Sequence, residues 1–324
     1  MVLQKMNKKL ITFLSLIVVS SSTITGCSND SILTTSQTEI TSPANLTTKS
    51  DESAMMGMFS NVAKASSSEL YPTDASAGDI QQALRPVCYF LSALAGLAQH
   101  RPEEVKKLVV DNGDNTYTVT FPGLPKGKNI ITVKKDEVTD IGVYINKGKN
   151  GSLWAPVAIK AVAKYWADHG LLRFLKSKSD AGDWGGAWEG IEIITGNVAD
   201  FMLVNLNTTD RILSKMDAAF KAKKLVSVST FGKGNKHPKK VGELKFSSAH
   251  VLTAISVDVA NKTITIRDPY GKYKKLAADG AIIEDKTTDG VVTLPMADFK
   301  KYFADIAIET NKKSNFLSRL RYLK

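Results

Sequence analysis

The order of periodic segments along this chain constrains its fold more than any other feature. Apolar residues recur at helical spacing mainly in the first half, whereas short β-branched or alternating runs dominate the second half. A helical half followed by a strand-rich half is typical of an α+β fold. The predicted helices cover residues 87–100, 153–169 and 210–223, with a further helix start at 101–104. The predicted strands cover residues 117–121, 129–133, 225–231, 251–259, 263–267, 290–294 and 306–309.

The N-terminus has the pattern of an export signal. Three lysines precede an apolar run at residues 10–20, which is too short to span a bilayer because a spanning helix needs about 20 residues. Residues 24–27, Ile-Thr-Gly-Cys, resemble the lipobox of bacterial lipoproteins, in which cleavage precedes the cysteine and its sulfur carries a lipid. We therefore predict a lipoprotein signal peptide at residues 1–26 and lipidation, such as by palmitate, at Cys27. An ordinary secretory signal with a chance cysteine is the alternative.

The rest of the chain divides into three parts by composition. Residues 27–75 are rich in Ser, Thr and Asn, which predicts a lipidated flexible tether or a short pro-segment. Residues 76–310 are long enough to bury the core of the main domain, and residues 311–324 form a basic tail. Two or more acyl chains at Cys27 would hold the protein stably on a membrane. We predict a protein of the bacterial cell envelope, anchored outside the cytoplasmic membrane on the outer membrane or the cell surface.

The charge of the chain is positive and dispersed. The formal net charge is +11, and it falls to +8 when residues 1–26, which contain three lysines and no acidic residue, are removed. A basic protein on an anionic membrane gains some electrostatic adhesion. The lysines accompany no base-stacking motif, helix-turn-helix signature or zinc-binding spacing. We therefore predict no nucleic-acid partner and assign the charge to a solvated surface.

Cys88 stands where a loop with a proline meets an apolar helix, in the stretch Gln-Ala-Leu-Arg-Pro-Val-Cys-Tyr-Phe-Leu at residues 82–91. A thiol in the first turn of a helix lies at the positive end of the helix dipole, which favours the nucleophilic thiolate. The only other cysteine, Cys27, belongs to the processing signal, so we expect a thiol rather than a disulfide at Cys88. The alternative is a buried cysteine that packs as a small hydrophobe.

A cysteine nucleophile needs a general base, and the chain has four histidines. His100 lies 12 residues along the predicted helix from Cys88, which is about 18 Å at the rise of an α-helix. His169 ends a predicted helix, and His237 lies in a lysine-rich loop. His250 is the candidate base, since it opens an apolar strand.

Asp268 is the predicted partner of His250. A turn at residues 260–262 joins two predicted strands, and His250 precedes the first strand while Asp268 follows the second. These positions lie at the same end of an antiparallel hairpin. Asp268 can then accept a hydrogen bond from one imidazole nitrogen and leave the other nitrogen for the thiol. The alternative is a surface turn at Asp-Pro-Tyr-Gly beside a half-buried histidine.

Five segments, in the same order, resemble the protease core of the calpain family within the papain-like superfamily. The resemblance covers about residues 78–310. The segments are residues 82–95 with Gln82 and Cys88, residues 153–164, residues 185–196 from Gly-Gly to Thr-Gly, His250 with residues 264–271, and residues 289–303.

The resemblance implies a papain-like two-lobed cysteine protease core, with a helical lobe, an antiparallel β-rich lobe and a site in the cleft. It implies a cysteine-type endopeptidase acting on proteins or peptides, with Cys88 as nucleophile, His250 as base and then acid, and Asp268 as the group that orients the histidine. Gln82 and the backbone N–H of Cys88 would stabilise the oxyanion. The sequence itself requires no cofactor. Calcium is implied by the family alone, and the family's calcium ligands cannot be matched to residues of this chain.

The chain departs from the family pattern at several positions, and two other functions stay open. The departures are Pro86-Val87 for Gly-Asp, Tyr89 for tryptophan, Ala249 for glycine, Asp268 for asparagine and Tyr270 for tryptophan. A carboxylate orients an imidazole and stabilises its cation, so Asp268 is compatible with catalysis. One alternative is a transglutaminase-like acyl transferase, which uses the same Cys-His-Asp set. The other is a non-catalytic surface-binding lipoprotein on a protease fold.

Overall fold

The full-length chain is represented by a computed structural model. The structure describes residues 69–142, 144–169, 185–232, 240–241, 244–276, 282–285 and 289–314. The predicted signal peptide, the predicted lipidation site Cys27, most of the predicted tether and tail, and His237 lie outside the described residues. Within the described ranges, no helix has the length and apolar character needed to cross a membrane.

The first lobe is built around one central helix, α1 (Cys88–His100). This helix is apolar on all sides and is buried from its first residue to Ala98. An apolar helix of this kind must be covered all round. The covering elements are α2 (Pro102–Leu108), β1 (Val109–Asp111), β2 (Thr116–Thr120), β3 (Ile130–Lys134), α3 (Trp154–His169) and α4 (Ala187–Thr195). The three strands form an antiparallel sheet in the order β1–β2–β3.

The second lobe is an antiparallel sheet with helices on its outer face. Its elements are β4 (Asn197–Leu203), α5 (Thr209–Lys221), β5 (Val226–Thr230), β6 (Lys240–Val241), β7 (Leu244–Lys245), β8 (Val251–Asp258), β9 (Thr263–Arg267), β10 (Tyr273–Leu276), β11 (Ile282–Asp285), β12 (Val291–Pro295), α6 (Met296–Tyr302) and β13 (Phe303–Lys313). Six strands pair in the order β12–β9–β8–β5–β13–β4. The other four form a smaller sheet in the order β11–β10–β7–β6.

The six-stranded sheet separates two apolar clusters. Successive side chains of a strand point to opposite faces. On β5, Val226 and Val228 pack with Leu213 of α5, whereas the hydroxyl of Ser227 lies 3.4 Å from that of Ser92 on α1. The face that carries Ser227 is therefore turned toward the helical lobe.

The predicted α+β fold is confirmed, and the segments with strong periodicity form helices and strands within a few residues of their predicted bounds. Periodicity does not predict α4, α6, β1, β4 or the four strands of the smaller sheet. The helix α4 contains Gly190, and glycine lowers helix propensity. A Cβ at Gly190 would lie 2.1 Å from the carbonyl oxygen of Tyr89, so the glycine is needed for the close approach of α4 to α1.

Residues on both sides of the predicted domain boundaries pack against the core. The Tyr71 hydroxyl donates to the carbonyl oxygen of Val109 at 2.8 Å. At the other end, β13 continues to Lys313, and the backbone N–H of Ser314 donates to the carbonyl oxygen of Gly196 at 2.9 Å. The last residues of the predicted tether and the first residues of the predicted tail thus contact the two lobes.

Candidate active site

The hairpin of β8 and β9 brings His250 and Asp268 together. His250 directly precedes β8, Asp268 directly follows β9, and the register pairs Thr253 with Arg267 near this end. His250 Nε2 lies 2.9 Å from Asp268 Oδ1, and both side chains are buried. The pair therefore lies where an antiparallel hairpin with a turn near residue 260 places it.

Backbone contacts and an aromatic ring hold the pair in place. The backbone N–H of Tyr270 donates to Asp268 Oδ1 at 2.9 Å, and the backbone N–H of Asp268 donates to the carbonyl oxygen of Gly290 at 2.8 Å. The Tyr270 ring stacks on the imidazole of His250, with 5.1 Å between centroids and 22° between planes. Tyr270 thus covers the histidine at the position where the resemblance has a tryptophan.

The second nitrogen of His250 is not engaged by Asp268. Nε2 is engaged with Asp268, so Nδ1 points away from the carboxylate. Within the part of the chain that the structure describes, His250 Nδ1 is buried and has no hydrogen-bond partner. A buried polar atom in this state costs free energy. At an enzyme site, this cost is explained by a group that exchanges protons with a nucleophile or a substrate.

Cys88 is the first residue of α1. The preceding Val87 has non-helical backbone angles, φ −106° and ψ 17°, and its side chain has no acceptor with which to cap the helix. The positive end of the helix dipole therefore lies at Cys88 and favours negative charge on its sulfur. The side chain is buried.

The expectation of a thiol at Cys88 is corrected by the structure, since the sulfur of Cys88 is disulfide-bonded. That expectation assumed a lipid on the sulfur of Cys27, the only other cysteine of the chain. The unprocessed chain has no such lipid, and Cys27 lies outside the described residues. A nucleophilic role for Cys88 requires its reduced form.

Contacts between α1 and the sheet define the direction of the helix. Ser92 lies beside Ser227, and the Thr253 hydroxyl donates to the carbonyl oxygen of Ser92 at 2.7 Å. One turn further along α1, a Cβ at Gly96 would lie 3.5 Å from Leu225. The helix therefore runs antiparallel to β5 and parallel to β8.

This direction places Cys88 and His250 at the same end of the interface. Cys88 is one helical turn before Ser92, about 6 Å along the axis. His250 is three residues before Thr253, about 10 Å along the strand. Both residues therefore precede the contact between Ser92 and Thr253, and the amino end of α1 faces the start of β8.

Gln82, the predicted oxyanion donor, is held beside the His–Asp pair. Its backbone N–H donates to the carbonyl oxygen of Pro269 at 2.7 Å, directly after Asp268, and its backbone also pairs with Ile145. The side-chain Nε2 donates to the carbonyl oxygen of Arg85 at 2.9 Å. An amide NH2 has two donor hydrogens. The second N–H of Gln82 can therefore donate to an oxyanion.

Arg267 is a supporting residue that the sequence analysis does not predict. Its guanidinium is buried, donates to the carbonyl oxygen of Ile80 at 2.9 Å and lies 3.5 Å from Asp289 Oδ1. Burial lowers the pKa of Arg267, and Asp289 and Asp268 partly offset this effect. Arg267 thus joins the segment that carries Gln82 to the strand that ends at Asp268. The sequence feature that could have indicated this residue is an arginine at the end of a β-branched strand, directly before Asp-Pro.

Calcium, which the family resemblance implies, is not assigned to particular residues of this chain. Calcium in proteins takes about six to eight oxygen ligands, usually with several carboxylates. Among the residues that the structure describes, no group of three or more His, Cys, Asp or Glu side chains is placed to hold a metal ion. No step below is assigned to a metal.

A cysteine at the amino end of a helix, facing a His–Asp pair on an antiparallel sheet, defines a class of enzymes, the papain-like cysteine peptidases. Within this class, the family model of the calpain family cysteine proteases matches residues 60–310. The chain therefore belongs to the calpain family of cysteine proteases, as the five segments predict. It is a cysteine-type endopeptidase, and its substrates are proteins or peptides.

Proposed function

We propose that this protein is a lipid-anchored endopeptidase of the bacterial cell envelope that cleaves peptide bonds through an acyl-enzyme on Cys88. The observation that carries the catalytic part is the state of His250. Its Nε2 is held by Asp268 at 2.9 Å, while its Nδ1 is buried with no hydrogen-bond partner among the described residues. This arrangement suits a general base that accepts a proton from a thiol at the amino end of α1.

The first half of the reaction forms a thioester. The reduced sulfur of Cys88, as thiolate, adds to the carbonyl carbon, and the electron pair of the C=O bond moves to the oxygen. The second N–H of Gln82 and the backbone N–H of Cys88 stabilise this oxyanion. The imidazolium of His250 then gives the Nδ1 proton to the leaving nitrogen, and the C–N bond breaks.

The second half of the reaction hydrolyses the thioester. Neutral His250 takes a proton from water at Nδ1, and the hydroxide adds to the acyl carbon. The C–S bond then breaks, which releases the carboxylic acid and restores the thiolate–imidazolium pair. Asp268 keeps Nε2 protonated throughout, and thereby fixes the tautomer in which Nδ1 is the basic nitrogen.

The anchor is proposed from the N-terminal sequence. The lysines, the apolar run and the Ile-Thr-Gly-Cys box occur in the order of a lipoprotein signal, and Ser28 rather than aspartate follows Cys27. A lipid thioether at Cys27 would also leave that sulfur unable to form a disulfide. Lipidation therefore supports the reduced form of Cys88 that the reaction needs.

The catalytic proposal is tested with the full-length chain under reducing conditions. We expect the wild-type chain to cleave a general protein substrate and to be labelled at one site by an epoxide-type thiol inhibitor. Cys88→Ala should abolish both, whereas the matched variant Cys27→Ser should retain both. Hydrolysis that survives Cys88→Ala would contradict the assignment. Amine incorporation without new fragments would favour the acyl transferase, and no reaction with or without calcium would favour the binding protein.

The anchor is tested by fractionation of expressing cells and mass spectrometry of the mature protein. We expect the wild-type protein in the membrane fraction, with an N-terminal Cys27 that carries acyl chains. Cys27→Ala should move the protein to the soluble fraction or leave it unprocessed. A mature chain without lipid that is cleaved elsewhere would contradict the lipoprotein proposal and leave the peptidase assignment intact.

A further inference from the structure

A row of four side chains crosses the sheet at the level of the candidate site. The strand register pairs Leu203 of β4 with Asp305 of β13, Asp305 with Ser229 of β5, and Ser229 with Val251 of β8. Paired residues on neighbouring strands share a face. This face is the one turned toward the helical lobe, since Ser227, two residues before Ser229, contacts α1. The row ends at Val251, which directly follows the candidate base.

Asp305 is a buried acid that has no role in the proposed reaction. Its carboxylate is 6% exposed and accepts a hydrogen bond from the Ser229 hydroxyl at 2.7 Å. Among the described residues, no cation pairs with Asp305, and Ser229 is the only side-chain donor to it. A buried carboxylate without a cation is unfavourable for folding.

The end of the row at the edge strand β4 is apolar and exposed to solvent. Phe201 and Leu203 of β4 are 47% and 43% exposed, although both are large hydrophobic residues. The ring of Trp188, in the first turn of α4, packs edge-on against Phe201 at 5.5 Å. An exposed apolar rim beside a buried carboxylate fits a side chain with a long aliphatic stem and a cationic end, as in lysine and arginine.

The row lies within reach of a peptide bound at Cys88 and His250. Neighbouring strands are about 4.8 Å apart, so the backbone of Asp305 is roughly 10 Å from that of Val251 across the sheet. An extended peptide advances about 3.3 Å per residue. A substrate side chain within three residues of the scissile bond can therefore enter this row.

We propose that Asp305 and Ser229 form the floor of a substrate pocket, rimmed by Phe201 and Leu203, that selects a lysine or arginine side chain within three residues of the scissile bond. This inference rests on the proposed function of Cys88 and His250. The Ser229 hydroxyl orients the carboxylate, and the cation of the substrate provides the missing counter-charge.

The test compares cleavage of peptides that differ at one position only. The reduced full-length enzyme is assayed with peptides that carry Arg, Leu or Glu at each of the three positions on either side of one scissile bond. We expect kcat/KM for Arg to exceed that for Glu by at least about tenfold at one position. Asp305→Asn should lower this ratio at least about fivefold, because it removes the charge and keeps the shape. The control Asp200→Asn, an exposed acid on the opposite face of β4, should leave the ratio unchanged.

A second measurement separates this inference from the proposed function. In the Cys88→Ala background, isothermal titration should show weaker binding of the preferred Arg peptide when Asp305→Asn is added. Equal binding, or an unchanged Arg-to-Glu ratio in the cleavage assay, would overturn the pocket. Loss of binding without any cleavage by the wild-type enzyme would overturn the catalytic proposal and retain the pocket.

Ser229→Ala keeps the test decisive if Asp305→Asn fails to fold. This variant removes the donor that stabilises the carboxylate and leaves its surroundings otherwise unchanged. We expect a smaller fall of the Arg-to-Glu ratio in the same direction. An unchanged ratio in this variant would count against the pocket as well.

Discussion

At the scale of single residues, the site contains buried polar groups whose positions are unfavourable for folding. Asp305 has no cation beside it among the described residues, and the guanidinium of Arg267 is buried. The Nδ1 of His250 is buried without a hydrogen-bond partner among the described residues. Each buried polar atom in such a state costs free energy. Functional sites retain such groups because the substrate or the reaction uses them. The free energy of unfolding should therefore rise when a group of this kind is neutralised.

We expect Asp305→Asn to stabilise the protein at neutral pH. Burial raises the pKa of Asp305 to about 6, and the Ser229 hydrogen bond opposes this rise. Because the folded-state pKa is raised, the contribution of Asp305 to stability is present below pH of about 4 and is lost as the pH rises through about 6. Asp305→Asn should therefore raise the unfolding free energy by up to about 3 kcal/mol at pH 8 and change it little at pH 4.

Chemical denaturation at the two pH values measures this difference. Asp200→Asn serves as the exposed control and should be neutral at both. Equal effects of Asp305→Asn at pH 4 and pH 8 would show that the carboxyl does not titrate in this range.

We expect Asp268→Asn to retain activity and Asp268→Ala to lose it. The backbone N–H of Tyr270 donates to the same Asp268 oxygen that contacts His250 Nε2. In the asparagine variant this donor should keep the amide oxygen, rather than the NH2, toward the histidine. We expect kcat/KM to fall less than about tenfold for Asn and at least about 100-fold for Ala. If kcat/KM of Asp268→Asn fell as far as that of Asp268→Ala, His250 would need the negative charge of Asp268 and not only the orientation that an amide can supply.

At the scale of elements, the site depends on how closely α1 packs against its neighbours. The helix contacts β5 and β8 through small polar side chains, Ser92, Ser227 and Thr253, and it contacts α4 at Gly190. Small residues allow backbones to approach, and the amino end of α1 is thereby held opposite the start of β8. The relative position of Cys88 and His250 is thus set by packing one helical turn from Cys88 and three strand residues from His250.

We expect Gly190→Ala to destabilise the protein strongly. The added Cβ would lie 2.1 Å from the carbonyl oxygen of Tyr89 and 3.1 Å from the Cβ of Ala93, so α4 must move away from α1. The cost should be about 3 kcal/mol or more in unfolding free energy. Gly142→Ala is the matched control, since an added Cβ there meets no atom within 4 Å and its φ is −55°. Its effect should stay within about 0.5 kcal/mol in the same denaturation assay.

At the scale of the whole molecule, the candidate site is assembled where the two lobes meet. Segments distant in sequence meet between the lobes: Gln82 contacts Pro269, and Lys149 lies 3.2 Å from Asp289. Under the proposed lipidation, the sulfur of Cys27 would be unable to form a disulfide, so the chemical state of Cys27 would bear on the activity proposed for Cys88. On that proposal, lipidation would precede peptidase activity.

We expect the unlipidated full-length chain to need a reductant. Cys88 is disulfide-bonded, and a disulfide sulfur cannot act as the thiolate nucleophile. Hydrolysis of a labelled protein should be near background without dithiothreitol and rise at least about tenfold with it. Cys27→Ser, which removes the only other cysteine, should be active without reductant. Equal rates for the wild-type chain with and without dithiothreitol would contradict this prediction.

Much of the fold follows from short stretches of sequence. The apolar helix that begins at Cys88 and the hairpin that joins His250 to Asp268 are local structures, set by periodicity and by one turn at residues 260–262. Local contacts of this kind depend on residues close in the chain, so their spacing predicts them. By contrast, Gly190 in α4 and the edge position of β4 are explained only by tertiary neighbours, since Gly190 abuts the backbone of Tyr89 and β4 pairs with β13 alone.

The sequence by itself determined the α+β class, the cysteine at a helix start and the His–Asp hairpin, since each depends on periodicity or on one tight turn. Only the tertiary structure decided that the amino end of α1 faces β8 and that Gln82 is tied to Pro269. It also decided that Asp305 and Ser229 share a row with Val251. The physical reason is that these contacts join residues tens to hundreds of positions apart. Their formation depends on which surfaces bury the most apolar area together, and no local pattern encodes that choice.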